Sequence, residues 1–402
     1  MSRVLSWPRP TRSKENTIPG LLPEPDPDGL LEYSVVYTDR ALNHMSRKFQ
    51  QVMRDISGVL KEVYRARSAV VVPGSGSFGM EAVARQFAAG KPALVIRNGW
   101  FSYRWSQIFD MGQIPAAHSV LKARPVAPGR QAAFAPAPIE EVLAAIRGQR
   151  PDVVFAPHVE TAAGILLPDA YLRAVADAVH EVGGMFVLDC IASGTLWVDM
   201  QATGVDVLIS APQKGWSGSP CCAFVMLGAR ARAAIDASAS SSFAMDLKKW
   251  LQIMETYEGG GHAYHATLPT DALTRTRDVM LETRAYGFER LREEQFELGR
   301  RVRALLAGKG LRSVAAEGFQ APGVVVSYTD DDGLHSAKAF LGEGLQTASG
   351  VPLQCDEPAD FKTFRIGLFG LDKLHHPDRT LANLDAALVR ILGPQSARAR
   401  AA

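Results

Sequence analysis

The sequence contains few cysteines, no long apolar run and no excess of charge of one sign, and each shortage argues against a class of protein. Its four cysteines, none of them in a CxxC or Cys/His zinc pattern, predict buried thiols instead of a disulfide framework. No run approaches the roughly 18 apolar residues of a membrane span, and the start lacks a signal-peptide pattern, so we expect a cytoplasmic protein. The 44 basic residues nearly balance the 42 acidic ones, so we expect neither a nucleic-acid partner nor a membrane partner.

The order of apolar and polar segments predicts an α/β fold. Residues 1 to 30 are rich in proline and charge and predict an extended arm. From about residue 45, strand-like apolar runs alternate with helix-like segments, which predicts a mostly parallel sheet covered on both faces. A long amphipathic helix and short strands follow, so we expect a large domain over residues 31 to 285 and a small α+β domain over residues 286 to 402.

The first candidate site is the glycine-rich segment PGSGSFGMEA, between a strand-like run and a helix. Ser75, Gly76 and Ser77 in this segment offer hydroxyl and backbone N–H groups at a helix N-terminus, where a phosphate binds favourably. We therefore predict a phosphate site here, with a purely structural βα turn as the alternative.

The same segment also matches the GxGxxG pattern of dinucleotide-binding proteins, through Gly74, Gly76 and Gly79. A nicotinamide site needs an acidic residue at the end of the next strand, but that strand ends in Arg97 and Asn98. An arginine at this position suits only a phosphorylated ribose. An NADP-binding oxidoreductase therefore remains as a minor alternative.

Two charged residues follow strand-like runs farther along the chain. Asp189 ends the apolar run MFVLD, and Lys214 follows the run VDVLI. A carboxylate at the end of a central strand needs a cationic or hydrogen-bonding partner, and a lysine held in a crevice becomes a good nucleophile. Taken singly, Asp189 is explained as well by a structural salt bridge as by a catalytic role, and an isolated lysine such as Lys214 more often faces solvent.

Together, a phosphate site, a carboxylate and a lysine in this order are what pyridoxal phosphate requires. The segments GSGSFGMEA, IRNGWFSYR, HVETAAGI, LDCIASG, GVDVLISAPQKGW, YHATLP and FRIGLFG extend this similarity from about residue 45 to residue 370. The chain closely resembles the fold-type I, class V aminotransferases of the alanine–glyoxylate and serine–glyoxylate family. The resemblance implies a large domain with a seven-stranded, mostly parallel sheet, a smaller C-terminal α+β domain, and a homodimer with active sites at the subunit interface.

The resemblance also implies roles for individual residues near the cofactor. Lys214 would form the Schiff base and Asp189 would bind the pyridine nitrogen. Thr161 would bond the phenolic oxygen, and Phe101 would stack on the pyridine ring. Gln213 would contact the phosphate together with Ser75, Gly76 and Ser77.

Three more residues are assigned by the same resemblance. Tyr264 and Thr267, in YHATLP, would reach the phosphate of the neighbouring subunit. Arg365, in FRIGLFG, would grip the substrate carboxylate, because a guanidinium binds a carboxylate through two hydrogen bonds. Near residues 32 to 46 the chain departs from the family pattern, with Tyr33, Tyr37 and Thr38 in place of small residues.

These observations predict a pyridoxal phosphate-dependent aminotransferase. It would move an amino group from a small amino acid, of the alanine or serine type, to a 2-oxo acid such as glyoxylate or pyruvate. The altered segment near the start motivates one alternative on the same fold, a lyase or a carbon–carbon bond-forming enzyme. No metal is expected.

Overall fold

The computed structural model describes residue 26 and residues 28 to 393. The strands of this part are β1 Ser68–Pro73, β2 Pro92–Arg97, β3 Ala117–Lys122, β4 Arg124–Pro125, β5 Phe134–Ala135, β6 Val153–Pro157, β7 Val159–Glu160, β8 Ile165–Leu166, β9 Met185–Asp189, β10 Val207–Ser210, β11 Cys222–Leu227, β12 Val324–Tyr328, β13 Ala348–Ser349 and β14 Thr363–Gly367. The helices of this part are α1 Arg47–Tyr64, α2 Gly76–Phe87, α3 Trp100–Gly112, α4 Ile139–Gln149, α5 Asp169–Glu181, α6 Met200–Thr203, α7 Ala229–Ile235, α8 Leu247–Glu258, α9 Thr270–Tyr286, α10 Phe288–Gly308, α11 Asp332–His335, α12 Lys338–Gly342, α13 Leu371–His375 and α14 Pro377–Leu392.

A seven-stranded sheet forms the centre of the fold, in the order β1-β11-β10-β9-β6-β2-β3. The pairs from β10 to β3 are parallel, whereas β11 runs antiparallel to both of its neighbours. Because β1 and β10 both oppose β11, they run in the same direction. Six of the seven strands therefore end at one edge of the sheet, where functional groups of α/β proteins gather.

The strands and helices form because apolar residues recur at the spacing that each element buries. Strands β6, β10 and β11 are buried at every position, as expected for a sheet covered on both faces. Helix α1 buries Phe49, Val52, Ile56 and Leu60, which share one face at a spacing of three or four residues. The Ser46 hydroxyl caps this helix by accepting a 3.1 Å hydrogen bond from the Phe49 N–H.

A close packing contact places helix α2 directly on the sheet. A Cβ atom at Gly79 would lie 2.5 Å from the Ala223 Cβ of β11, so only glycine fits there. The helix therefore lies low on the sheet and its first residue, Gly76, lies at the carboxyl edge. This contact fixes the position of the predicted phosphate site.

A smaller three-stranded sheet follows, in the order β12-β14-β13 and antiparallel throughout. Helix α10 packs against it through Leu291, Leu298 and Val302, which share one buried cluster with Val325 and Phe364. This segment has the α+β composition expected from the sequence. The boundaries at residues 30 and 285 stay predictions, and most of the predicted arm lies outside the described residues.

The fold class predicted from the sequence, an α/β fold with a mostly parallel sheet, is confirmed. The four cysteines are buried and free, as expected. Strand β3 and helices α8 and α9 were not predicted from the pattern. Within the described ranges, every helix is too short or too polar to span a bilayer.

Candidate active site

A cavity of about 110 Å³ lies at the carboxyl edge of the large sheet. It is bounded by segments that follow β1, β2, β6, β9 and β10. Eight of the eleven site residues predicted from the sequence line it together. The residues that line it are Ser75, Gly76, Ser77, Phe101, Arg104, Pro157, Val159, Thr161, Asp189, Ile191, Ala192, Gln213 and Lys214.

The beginning of helix α2 forms one end of this cavity. Gly74 has a φ of 120°, so the chain turns sharply between β1 and the helix in a conformation that favours glycine. The helix begins at Gly76, and the first N–H groups of a helix have no acceptor within it. Ser75 occupies the N-cap without a capping hydrogen bond from its side chain. Free N–H groups and a serine hydroxyl are therefore available to an anion.

Asp189 lies at the end of β9 and is 8% exposed. One of its oxygens accepts a 2.9 Å hydrogen bond from the Ile191 N–H. Burial raises the pKa of the Asp189 carboxyl to about 6, although the Ile191 N–H and the charge of Lys214 oppose this rise. The carboxylate is therefore charged at neutral pH and favours a positively charged partner.

Lys214 lies four residues beyond the end of β10, between two aromatic rings. Its Nζ atom is 6.0 Å from the centre of the Phe101 ring and 5.7 Å from that of Phe369. Burial lowers the pKa of the Lys214 amine, Asp189 opposes this shift, and the positive charges of Arg365 and Arg104 add to it. The shift increases the share of neutral amine, which is the nucleophilic form.

Three cationic groups surround the Phe101 ring. Besides Lys214, the guanidinium carbons of Arg104 and Arg365 lie 5.4 Å and 5.3 Å from the ring centre. The Nε of Arg365 donates a 2.7 Å hydrogen bond to the Ser349 carbonyl. Burial lowers the pKa of Arg365, but a guanidinium stays charged at neutral pH. The site therefore attracts anions such as phosphate and carboxylate.

Thr161 faces the same cavity and is 6% exposed. Its Oγ1 is buried and has no hydrogen-bond partner within the described chain. A buried hydroxyl without a partner costs free energy unless a ligand satisfies it. The atom therefore points to a polar ligand in this cavity.

Tyr264 and Thr267 do not line this cavity. Both are exposed, and their hydroxyl oxygens lie 3.1 Å apart. Their segment packs against the unusual segment near the start of the chain, because the Tyr37 hydroxyl donates a 3.0 Å hydrogen bond to the Leu268 carbonyl. The rings of His44 and Tyr264 also lie 5.5 Å apart. The two segments therefore pack against each other, with Tyr264 and Thr267 on the exposed side.

Arg97 and His158 serve local structure in this chain. The Arg97 guanidinium donates hydrogen bonds to Ser106 and to the Gln354 carbonyl, so it is not directed at the glycine-rich turn. This removes the support for a phosphorylated ribose. The His158 Nδ1 lies 2.7 Å from Ser193 Oγ, and burial lowers the pKa of this imidazole to about 3.

Two residues of the site region were missed by the sequence analysis. Arg104 donates a 2.9 Å hydrogen bond to Ser77 Oγ, and its position three residues after Phe101 was the available signal, since such residues share a helix face. Glu160, beside Thr161, is fully buried. The signal at Glu160 was a lone carboxylate within the small and apolar segment HVETAAGI.

Comparisons with known proteins identify relatives over most of the chain, although no family model matches it. An L-aspartate–glyoxylate aminotransferase from Paracoccus denitrificans is 27% identical over 347 residues, which cover 82% of this chain and 81% of the relative. A 2-aminoethylphosphonate–pyruvate transaminase from Paraburkholderia phymatum is 27% identical and covers 88% of this chain and 90% of its own length. An alanine–glyoxylate aminotransferase from Felis catus is 26% identical, over 73% of this chain and 69% of the relative.

Solved structures share the fold. An alanine–glyoxylate aminotransferase from Nostoc superposes with a TM-score of 0.71 at 20% identity, over 86% of this chain and 88% of that one. A pyridoxamine–pyruvate aminotransferase from Mesorhizobium loti gives a TM-score of 0.72 at 16% identity, over 90% and 88%. The chain therefore has the fold of the fold-type I pyridoxal phosphate-dependent aminotransferases, and it is similar over most of its length to glyoxylate and pyruvate aminotransferases.

Proposed function

We propose that the protein is a homodimeric aminotransferase that moves an amino group from a small amino acid to a 2-oxo acid such as glyoxylate or pyruvate. The curated relatives named above are aminotransferases whose names include glyoxylate or pyruvate. The observation that carries the proposal is the single cavity that unites Lys214, Asp189, Thr161 and the beginning of helix α2. Alanine and serine are the proposed amino donors, and a cytoplasmic location stays a prediction from the sequence.

The residues of the cavity fit pyridoxal phosphate. A planar cofactor with a phenolic oxygen would satisfy the buried Thr161 hydroxyl, which has no partner in the described chain. Its phosphate would meet the free N–H groups of α2 and the guanidinium of Arg104, which already bonds Ser77. Its ring would stack on Phe101, whose face already lies near the Lys214 amine.

Each end of the cofactor has its own group of residues in this proposal. Ser75, Gly76, Ser77, Gln213 and Arg104 would hold the phosphate. Asp189 and Thr161 would hold the pyridine nitrogen and the phenolic oxygen. Pyridoxal phosphate supplies an electron sink when it is bound, and Asp189 keeps the pyridine nitrogen protonated so that this capacity is retained.

Lys214 and Arg365 would act on the substrate. The neutral amine of Lys214 would attach the cofactor and, once released, would take the proton from the Cα of the amino acid at its Nζ. Arg365 would bind the substrate carboxylate through its two terminal nitrogens. Its Nε already donates to the Ser349 carbonyl, which holds the guanidinium in place. A fixed carboxylate determines which bond at Cα faces Lys214.

A dimer would complete the site. Tyr264 and Thr267 lie outside the cavity of their own chain and are exposed, so we propose that they reach the phosphate of a second copy. The segment with Tyr37 and His44 packs against them and would enter the same neighbouring site. Equilibrium sedimentation of the purified protein tests this arrangement, and a stable monomer with full activity would refute it.

A screen of half-reactions tests the proposed activity. The reconstituted protein is mixed with single amino acids, and its absorbance and the released 2-oxo acid are recorded. A transaminase converts the cofactor stoichiometrically to its amine form with alanine or serine, and glyoxylate or pyruvate restores the original spectrum. A lyase or a carbon–carbon bond-forming enzyme returns to the original spectrum without an added 2-oxo acid, and that outcome would overturn the proposal.

A further inference from the structure

Glu160 is a fully buried carboxylate that no salt bridge within the described residues neutralises. It ends strand β7, directly before Thr161. Its Oε1 accepts hydrogen bonds from the backbone N–H groups of Phe101, at 3.2 Å, and Ala162, at 2.9 Å. Its Oε2 accepts from the N–H of Ser102, at 2.9 Å, and from its hydroxyl, at 2.7 Å. Three backbone N–H groups and the Ser102 hydroxyl therefore surround the two oxygens of this carboxyl group, an arrangement that suits an acceptor.

The carboxylate lies at the N-terminus of helix α3. It caps this helix of 13 residues by accepting hydrogen bonds from the Phe101 and Ser102 N–H groups. A negative charge is favourable at a helix N-terminus. A Cβ atom at Gly99 would lie only 2.7 Å from the Glu160 Cγ, so the chain leaves room for this side chain. The Glu160 side chain therefore joins the NGWFSYR and HVETAAGI segments through hydrogen bonds and close packing.

Both residues held by this contact belong to the proposed cofactor site. The Phe101 N–H donates a hydrogen bond to the Glu160 carboxylate. The Ala162 N–H donates to the same carboxylate, and Thr161 lies between Glu160 and Ala162 in the chain. The orientation of the ring and of the unpartnered Thr161 hydroxyl thus depends on one side chain. A side chain that only capped helix α3 would not also need to contact the segment that carries Thr161.

The charge of Glu160 also reaches the lysine. The charged groups that act on Lys214 are Asp189, Arg365, Arg104 and Glu160. Asp189 and, less strongly, Glu160 raise the pKa of Lys214, and Glu160 also raises the pKa of Arg365. Glu160 therefore offsets part of the positive charge that surrounds the Phe101 ring.

We propose that Glu160 is a positioning residue of the active site, which fixes Phe101 and Thr161 through its hydrogen bonds and acts on Lys214 through its negative charge. This inference rests on the proposed role of Lys214. It goes beyond the family resemblance because it is carried by the four hydrogen bonds and the burial of this side chain.

The test measures the reactivity of Lys214 without the cofactor. The apoprotein is treated with cyanate, which carbamylates neutral amines, over a range of pH, and modification of Lys214 is quantified by peptide mass spectrometry. We expect Glu160→Gln to raise the carbamylation rate of Lys214 about 3- to 10-fold at a given pH below the pKa of this amine. The reason is that loss of the nearby negative charge lowers the pKa of Lys214 and so increases the share of neutral amine. Identical pH profiles in Glu160→Gln and the parent protein would overturn the proposal.

Asp246→Asn is the matched control, because Asp246 caps helix α8 by accepting from the Lys248 and Lys249 N–H groups. It should lower thermal stability without changing the Lys214 profile. Should Glu160→Gln fail to fold, Glu160→Asp keeps the charge on a shorter side chain. It should preserve the Lys214 profile while weakening cofactor binding about tenfold through the displaced Phe101.

The outcomes for Glu160→Asp are equally decisive. Parent-like cofactor binding in this variant would overturn the positioning role. The half-reaction screen is independent of these measurements, so a failed screen with an altered Lys214 profile would refute only the proposed activity.

Discussion

The guanidinium of Arg104 donates a 2.9 Å hydrogen bond to the hydroxyl of Ser77. This bond joins helix α3, which carries the Phe101 ring, to the beginning of helix α2. The guanidinium carbon also lies 5.4 Å from the centre of the Phe101 ring. Arg104 therefore links the ring-stacking surface to the proposed phosphate site, and it brings a permanent positive charge to both.

Arg104→Ala should weaken cofactor binding about 10- to 100-fold, because a hydrogen bond to a charged phosphate is worth about 1.5 to 3 kcal/mol. Arg104→Lys should lose less, since it keeps the charge but not the fork of donors. Equilibrium dialysis of the apoprotein measures the affinity. Unphosphorylated pyridoxal should bind Arg104→Ala and the parent protein equally.

The control is Arg147→Ala, which removes an exposed ion pair with Glu181 on the outer surface. It should bind the cofactor like the parent protein. Unchanged phosphate-dependent affinity in Arg104→Ala would show that Arg104 only supports the two helices.

Lys214→Ala should abolish covalent attachment of the cofactor. Borohydride reduction of the reconstituted parent protein should add one cofactor mass to the peptide that contains Lys214, and the variant should add none. Turnover should fall about 10²- to 10⁴-fold, as for the loss of a general base. The control is Lys91→Ala, at an exposed lysine, which should keep both the labelling of Lys214 and the turnover of the parent protein. Labelling of another lysine in the parent protein would contradict the assignment.

The sequence predicted the site best where a charged residue interrupts an apolar run. Asp189 and Lys214 stand out because they follow buried strands of a parallel sheet, and such strands end at one edge. Arg104 and Glu160 do not stand out, because a lone arginine in a helix and a lone glutamate in a hairpin are ordinary. Their roles depend on contacts between segments that are 27 and 58 residues apart.

The fold was predicted least well at its edges. Strand β3 lies at the edge of the large sheet, and its residues are half-buried or exposed, so it lacks the continuous apolar run of β6 or β11. Tyr264 and Thr267 were predicted to act in a neighbouring subunit, and a single chain contains no surface that tests this. The packing of their segment against residues 37 to 44 could not be predicted, because it depends on tertiary contacts.

Arg365→Ala should raise the KM for the amino acid about 10- to 100-fold while leaving the absorbance of the bound cofactor unchanged. The reason is that the guanidinium would bind the substrate carboxylate and not the cofactor. A primary amine without a carboxylate should react equally slowly with the variant and the parent protein. Lys362→Ala removes a nearby surface cation that pairs with Asp332, and it should leave KM unchanged. Equal KM values for Arg365→Ala and the parent would refute the role.

Asp189→Asn should stabilise the apoprotein at neutral pH even though it lowers activity. Burial raises the pKa of Asp189 from 3.8 to about 6, so between these values the folded state binds more protons than the unfolded state. The free energy of unfolding therefore falls as pH rises through this window, and the whole cost is present above pH 6. Asparagine carries no charge and can still accept the hydrogen bond from the Ile191 N–H.

Thermal unfolding of the apoprotein at several pH values measures this effect. The variant should exceed the parent by about 2 kcal/mol above pH 7, and the difference should shrink as pH falls towards 4. Asp177→Asn, at an exposed position of helix α5, should show no such dependence. A variant that is less stable than the parent at pH 7 would mean that the carboxylate has a favourable partner in the apoprotein. A buried charge that costs stability without its ligand is expected where the site is built for that ligand, because the protonated pyridine nitrogen then supplies the missing partner.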